Sequence, residues 1–380
     1  MPIKNAKPLE SALIIPKLIL IFAGRWPQHS STLFTRVRVV TFNSMEILFN
    51  ILMMVEVYLI CTSDFNFNML FDIMGALITA SGHLFKIWLF SAHRKIWLDI
   101  LQQLKSTHFN DYPEEFHLIG RKPVNFSKNF GNMFQLGCCF SSTAYILAPL
   151  FSNIDLPIKC SFVTKAMIPY AYPIQSFVVC FCALTHSSVD VMITDLIGVA
   201  VGQLDLLGEK IKAVRTNLIK QKIDLGECVR HHVEIIRFVA NLNDAGSGII
   251  MVEYVKSALV VCFLGIQAVS IDPTSAPFMR IVVYGFVMLF QLNIYCFFAN
   301  EILVKSKKLG DACYLSTWYE NPDVLKYKTN LLIIMERSKR PLYLTAGKWS
   351  VVSLQSFATI LKSSYSYFTL MQTLYNNNSM

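Results

Sequence analysis

Few residues of this 380-residue chain could do chemistry, and most of them lie where charge is expensive. Glu253 and Lys256 stand three positions apart inside an apolar run. That spacing sets a carboxylate beside an ammonium on one helix face. The pair reads first as a structural ion pair and second as a proton relay. His83 and Lys86 share another apolar run, and the long Lys86 stem would let its ammonium snorkel toward water. Asp190 and Asp195 close a third run. Together these groups read as glue between helices or as the wall of a wet vestibule. His231–His232 with Glu234 lacks the HExxH spacing, sits in a charged stretch, and reads as solvated surface. No nucleophile–base set, phosphate loop or dinucleotide glycine motif emerges, so the reading is a non-enzyme that uses no cofactor.

A second group of residues could bind rather than react. Met69, Phe71 and Ile73 form one cluster, and Thr143, Tyr145 and Ile146 another. The stretch "IPYAYPIQSF" adds Tyr170, Tyr172 and Gln175, with two prolines that free backbone groups. Phe263, Ile266 and Tyr284 complete the set. Apolar walls with a few hydroxyls suit a small, volatile, weakly polar ligand. Each residue singly could equally be helix packing; the region as a whole reads as a pocket. Near the C-terminus, "SSYSYFTLMQTL" places Ser363, Tyr367, Leu370 and Leu374 on one helical face. Hydroxyls ending in two leucines fit a water-lined passage with a hydrophobic gate. They fit a Ser/Thr-rich packing face as well, and spacing alone leaves the two readings level.

The elements that must position these residues follow from composition. The chain is 54% hydrophobic and 16% charged, with a mean hydropathy of +0.45, whereas soluble chains carry about 25% charged residues. Seven stretches, roughly 38–62, 68–92, 131–153, 168–195, 248–271, 276–301 and 350–374, are apolar and long enough to span a bilayer. Of the 34 Lys and Arg, 28 fall on one set of alternate loops and three on the other. That bias predicts a cytoplasmic N-terminus and an extracellular C-terminus. The net charge of +9 therefore belongs to loops, and nucleic acid is excluded as a partner. Membrane lipid is the implied surrounding.

The inner loops are long, and helical periodicity continues through "QLDLLGEKIKAVRTNLIKQKI", "CVRHHVEIIRFVANLND" and "DVLKYKTNLLIIMERS". The fold class is thus an all-α membrane protein of seven helices with a helical cytoplasmic anchor. Its parts are a cytoplasmic segment (1–37), helices one to six (38–300), the anchor (301–349), and a last helix with a short tail (350–380). "SALIIPKLILIFAG" near the N-terminus reads as an amphipathic surface helix, since Pro16 and Lys17 break it and no cleavage site follows. Six of the ten cysteines (Cys138, Cys139, Cys180, Cys182, Cys262 and Cys296) sit in apolar runs as small hydrophobes. Cys61 and Cys160 fall near one membrane face, where a disulfide is a disfavoured alternative.

The last 75 or so residues carry a resemblance. Ala312, Tyr314, Trp318–Tyr319, "RSKRPLYLTAGK" (Arg337–Lys348), Ser353–Leu354, Phe357 and "SYSYFTL" (Ser364–Leu370) stand in an order that resembles the C-terminal region of insect odorant receptors. The resemblance implies an odorant-gated, non-selective cation channel passing Na, K and Ca. It implies a heterotetramer with a shared odorant co-receptor, in the plasma membrane of olfactory neuron dendrites. It implies that the outer part of the last helix lines the pore, with Leu370 and Leu374 at the family's gate, and that the odorant sits between spans two to six. The long insertion of the co-receptor is lacking, so the chain resembles a ligand-tuning subunit. Two alternatives stand beside it. One is a gustatory-type ligand-gated channel. The other is a G-protein-coupled chemoreceptor, which would need the opposite topology.

Overall fold

The computed structural model describes residues 9–62, 67–110, 113–151, 155–158, 160–217, 225–316 and 328–378. A 3-10 turn (Leu9–Leu13) leads into α1 (Ile14–Phe22). Then come α2 (Leu33–Thr62), α3 (Phe67–Ala92), two short helices α4 (Arg94–Gln103) and α5 (Thr107–Asn110), and α6 (His117–Phe151). The chain continues through α7 (Ile168–Asn217), α8 (Leu225–Ser270), α9 (Ala276–Leu315) and α10 (Lys328–Ser338). A hairpin of β1 (Thr345–Ala346) and β2 (Ser350–Val351) precedes α11 (Leu354–Asn378). The expected amphipathic helix in "DVLKYKTNLLIIMERS" appears from Lys328; its first five residues, and Trp318–Tyr319, lie outside the described residues.

Five helices are long and apolar enough to cross a membrane: Leu33–Thr62, Met69–Ala92, Lys165–Ala213, Leu225–Ala268 and Phe278–Leu315. Of the remaining two expected spans, α6 has 35 residues and α11 has 25, so both exceed the ~20 that a bilayer requires, but their sequences are more polar. α7 runs unbroken for 50 residues. At 1.5 Å per residue it is about 75 Å long, against a hydrocarbon core of ~30 Å. The helical periodicity beyond residue 195 is therefore a continuation of the same helix as far as Asn217, residues 218–223 of that stretch lying outside the described residues, and α8 does likewise from Leu225.

Burial divides along these long helices. Leu196, Leu204, Leu207 and Ile211 of α7, Phe238 and Leu242 of α8, and Ile302, Leu309 and Cys313 of α9 are at most 1% exposed. They form one core with Leu331 and Ile334 of α10 and with Trp97, Ile100 and Leu104 at the α4 end. Elsewhere α2 and α3 turn Leu48, Ile51, Met54, Tyr58, Phe85 and Trp88 outward. That outward apolar face is what lipid, rather than water, would cover. α6 and α7 approach closely where Gly198 and Gly202 repeat at a four-residue interval. A Cβ on Gly202 would come within 2.3 Å of the Gly120 carbonyl oxygen, so only hydrogen fits between the two backbones.

Two features differ from expectation. His231 and His232 are 1% and 6% exposed, not solvated. The α8 extension packs on α7 and on the α5 region, so His231 Nε2 lies 2.8 Å from Gln203 Oε1 and its ring meets Phe109 edge-on. Burial, reinforced by nearby Lys210, pushes His231 down to about 3. Burial, with Arg337 nearby, pushes His232 down to about 4. Cys61 and Cys160 are both free thiols, in keeping with the disfavoured disulfide. The second difference is the hairpin, which periodicity did not foretell. Gly347 and Lys348 both take positive φ, 61° and 65°, at its turn. α8 holds it there, since Gly347 N donates to Ser247 O (2.9 Å) and Thr345 N to Asn243 Oδ1 (2.7 Å). α1 is helical as expected, with Leu13 at its start and Leu20 fully buried, while Leu18 and Phe22 face outward.

Candidate ligand-binding cavity

A cavity of about 160 Å³ lies between α2, α3, α6, α7 and α9. Phe49, Met53, Ala76, Ala80, Val179, Val287 and Met288 give it apolar walls. At one end Tyr284 hydrogen-bonds Thr79, and Tyr145 meets Tyr284 edge-on with ring centroids 5.9 Å apart. Behind Tyr145, Arg280 lies 4.7 Å over its ring and is fixed by Asp72 at 3.0 Å. At the other end stand His83, His186 and Gln291.

Behind that second end the intramembrane charges assemble. Lys86 Nζ lies 2.5 Å from Asp190 Oδ1 and 2.7 Å from Glu253 Oε1. Lys256 pairs with Glu253, as the spacing predicts, and lies 2.9 Å from His186 Nε2. An ammonium has only donors, so that imidazole nitrogen accepts. Asp190 also accepts from Gln291 Nε2 (2.6 Å) and Tyr295 OH (2.5 Å). Lys86 is thus fully buried in an ion-pair network. It does not snorkel as expected, because two carboxylates from α7 and α8 meet it inside. Asp195 lies apart from the network and accepts from Ser127 Oγ at 3.4 Å.

A second, smaller network joins at His83. Its Nε2 lies 3.4 Å from Glu46 Oε1, and Glu46 is bound by Arg25 at 3.0 Å. The His83 and His186 rings meet edge-on at 5.5 Å, so the two networks share one wall of the cavity. Two sets of donor atoms, Glu46/His83/Cys182 and His186/Asp190/Glu253, each lie within 4.8 Å of one another, close enough to surround a metal ion. In both sets, however, the carboxylates are already matched by Arg25, Lys86 or Lys256. A divalent cation would face those positive groups at contact distance. The geometry therefore favours ion-pair clusters over metal centres.

Of the twelve candidate ligand residues, Tyr145 and Tyr284 line the cavity. Gln175 holds its wall, accepting from the backbone N–H of Ile158 at 3.2 Å. Phe71 stacks on Phe263 (5.6 Å) outside it, and Ile73 and Ile266 are buried in helix packing. Met69 is half-buried beyond the cavity. Tyr172 donates to the carbonyl of Ile146 (2.8 Å), Thr143 to that of Cys139 (2.7 Å), and Tyr170 is exposed. The cavity sits nearer the buried charges than the aromatic pattern implied. Thr79, His83, Ser142, His186 and Gln291 line it unanticipated as ligand residues. Their signal was polarity within apolar runs.

On α11, Ser363, Tyr367 and Leu370 share an exposed face. The Leu374 side chain lies outside the described residues. The hydroxyls of Ser363, Ser366, Thr369 and Thr373 all donate to carbonyls of their own helix within 3.0 Å. These four hydroxyls therefore need no partner to satisfy their protons. The opposite face packs on α8, where Gly265 leaves room for the Phe368 ring.

Likenesses to known proteins bear on this arrangement. Odorant receptor Or2 of Anopheles gambiae is 32% identical over 155 residues, 40% of each chain. Odorant receptor 10 of Aedes albopictus is 32% identical over 148 residues, 39% of each. The chain thus matches about two fifths of the length of these curated relatives. The olfactory receptor OR5 of Machilis hrabei, solved in complex with eugenol, superposes with a TM-score of 0.84. It covers 96% of this chain and 98% of that one at 17% identity, a likeness of fold. The sequence model of the 7tm odorant receptor family matches residues 66–365, and with most of its length so matched, this chain belongs to the insect odorant receptor family.

Proposed function

We propose that the chain is a subunit of an odorant-gated, non-selective cation channel, with α2, α3, α6, α7, α8, α9 and α11 as its seven spans. The Lys/Arg bias supports a cytoplasmic N-terminus and an extracellular C-terminus. The exposed face of α11 carries Ser363, Tyr367 and Leu370, with Leu374 one turn on, and supports a pore wall gated by leucines. One such helix cannot enclose a passage. The reading therefore includes other subunits, an odorant co-receptor among them in a heterotetramer, passing Na, K and Ca. The site of action is the plasma membrane of olfactory neuron dendrites.

The observation that carries this reading is the cavity. At about 160 Å³ it is close to the size of apolar protein cavities that take one benzene-sized guest, ~150 Å³. The odorant it fits is therefore about one ring, or a short chain. Its polar groups also have a sense. Thr79 Oγ1 donates to Gly75 O (2.9 Å), so Tyr284 OH donates to Thr79. Ser142 Oγ donates to Cys138 O (2.9 Å). With those protons committed, Tyr284 and Ser142 offer lone pairs, while the Tyr145 hydroxyl lines the same space, so a guest O–H that can both donate and accept fits better than an ether that only accepts.

The test is whole-cell current from cells expressing the chain with and without an insect odorant co-receptor. The volatile panel pairs alcohols and phenols with their methyl ethers. Inward current that needs both subunits, with each hydroxyl compound outranking its ether, is the expected result, and Leu370→Ala should raise current without odorant. Current that ignores both the co-receptor and Leu370 would overturn the pore assignment. Ethers matching alcohols throughout would overturn the ligand chemistry alone.

A further inference from the structure

A second cavity, about 440 Å³, lies where α1 turns into α2 and α3 ends against α4. Its lining carries three guanidinium groups, Arg25, Arg36 and Arg94, and no carboxylate. Arg25 is spoken for by Glu46, yet its Nε is buried and has no partner. The residue is 6% exposed and lines this cavity. Arg36 and Arg94 meet only neutral oxygens among the described residues, Ser31 Oγ (2.9 Å) and the Gln28 carbonyl. Two positive charges are therefore uncompensated in a concave site. The N-terminus of the 30-residue α2 adds partial positive charge at the same place, with Thr32 capping Thr35 N at 3.2 Å and Thr35 lining the cavity.

The turn that makes the cavity is built by Gly24. Its φ of 74° ends α1, and its N–H returns to Ile21 O at 3.0 Å. A Cβ there would meet Val39 at 3.0 Å. This sharp reversal swings Arg25 inward and lays the start of α2 beside α1.

Charge says anion, and the adjoining surface says which anion. Leu33, Phe34, Val37 and Val40 of α2 are 79%, 70%, 54% and 63% exposed, and Val40 also lines the cavity. No described element covers them. A soluble phosphate would make no use of that apolar face, whereas an acyl chain would lie along it while the headgroup entered the arginines. Guanidinium forks match phosphate oxygens bidentately. We infer that this cavity binds the phosphorylated headgroup of an anionic phospholipid, its acyl chains lying against the outward face of α2. The Lys/Arg bias places the site at the cytoplasmic leaflet.

The experiment is native mass spectrometry on the full chain purified in detergent. Dioctanoyl phosphatidylinositol 4,5-bisphosphate is titrated against dioctanoyl phosphatidylcholine, with inositol trisphosphate and inorganic phosphate as soluble arms. Preferential retention of the anionic lipid is expected, with weak binding of both soluble ions. R36Q/R94Q should weaken retention about thirtyfold, two cationic contacts being lost. R237Q, which removes an exposed arginine on α8, should change it little. Equal retention of the two lipids overturns the inference. So does equal loss in R237Q, which would make the effect one of net charge. Soluble ions binding as tightly as the lipid would overturn the acyl-chain half. The wild-type lipid comparison decides the matter even if the double variant fails to fold. Odorant response plays no part in it.

Discussion

Lys86 offers the sharpest test of how the cavity is held. Its network contains two ammonium groups, Lys86 and Lys256, and two carboxylates, Asp190 and Glu253, all at most 2% exposed. The charges cancel. In Lys86→Met, Glu253 keeps Lys256 as its partner. Asp190 keeps only the neutral donors Gln291 and Tyr295. One uncompensated charge is then left buried, and removing one partner of such a pair costs about 3–5 kcal/mol. Adding Asp190→Asn removes the orphaned charge and restores neutrality, and the double variant should recover all but about 1 kcal/mol. The double-mutant cycle should therefore show a coupling of at least ~2 kcal/mol. The assay is the thermal midpoint of purified protein in nanodiscs, with surface abundance as a cellular check. Stability should rank wild type, then double variant, then Lys86→Met. The reasoning would be refuted by a Lys86→Met variant as stable as wild type, or by a double variant no better than the single.

Other consequences follow from the same geometry. His231 and His232 are held neutral by burial, at about 3 and about 4. Their unfolded pKa is near 6.5. Above that value neither state binds the proton, and stability is unaffected; below it the unfolded chain takes protons that the fold refuses. At pH 5 this costs about 2 kcal/mol per histidine. The thermal midpoint should fall between pH 7 and pH 5, less so in His231→Gln, which keeps a donor for Gln203. Gly202→Ala must push α6 off α7, so an overpacking loss of about 1–3 kcal/mol is expected. Gly246→Ala, with nothing within 4 Å of the new Cβ, should instead gain up to about 1 kcal/mol in helix propensity. Urea or thermal melts of the two variants give the comparison. Ala80→Phe sets a ring into the cavity and should abolish odorant-evoked current at unchanged surface abundance.

The helices were legible because membrane burial writes itself in long apolar runs. The extensions of α7 and α8 were legible because their periodicity never breaks. Three features were not. Lys86 looked free to snorkel because its partners lie 104 and 167 positions away, at Asp190 and Glu253. His231–His232 looked solvated because local charge density says nothing about a helix that will cross them. The hairpin at Gly347 depends on hydrogen bonds that its backbone N–H groups donate to Asn243 and Ser247, which no local pattern foreshadows.

The cavity was half legible, and the reason is physical. Aromatic residues mark many helix contacts, so Phe71, Phe263 and Tyr172 pack or bond elsewhere while Tyr145 and Tyr284 line the space. Polar groups in apolar spans are rarer, because each must be satisfied or cost stability. Here they do two tasks at one place. Lys86, Asp190, Glu253 and Lys256 cancel one another's charge and tie α3, α7 and α8 together. His186 and Gln291 bond to that network on one side and face the cavity on the other. A ligand that hydrogen-bonds at this end touches side chains whose other contacts join three helices. A ligand confined to the Tyr145–Tyr284 end touches none of them. Substituting Gln291 by Leu removes the amide that contacts both His186 and Asp190. It should therefore lower the melting temperature, while the preference for hydroxyl-bearing odorants, set at Tyr284 and Ser142, persists. Tyr284→Phe should change odorant ranking with little loss of stability, since the hydroxyl's bond to Thr79 lies outside the network.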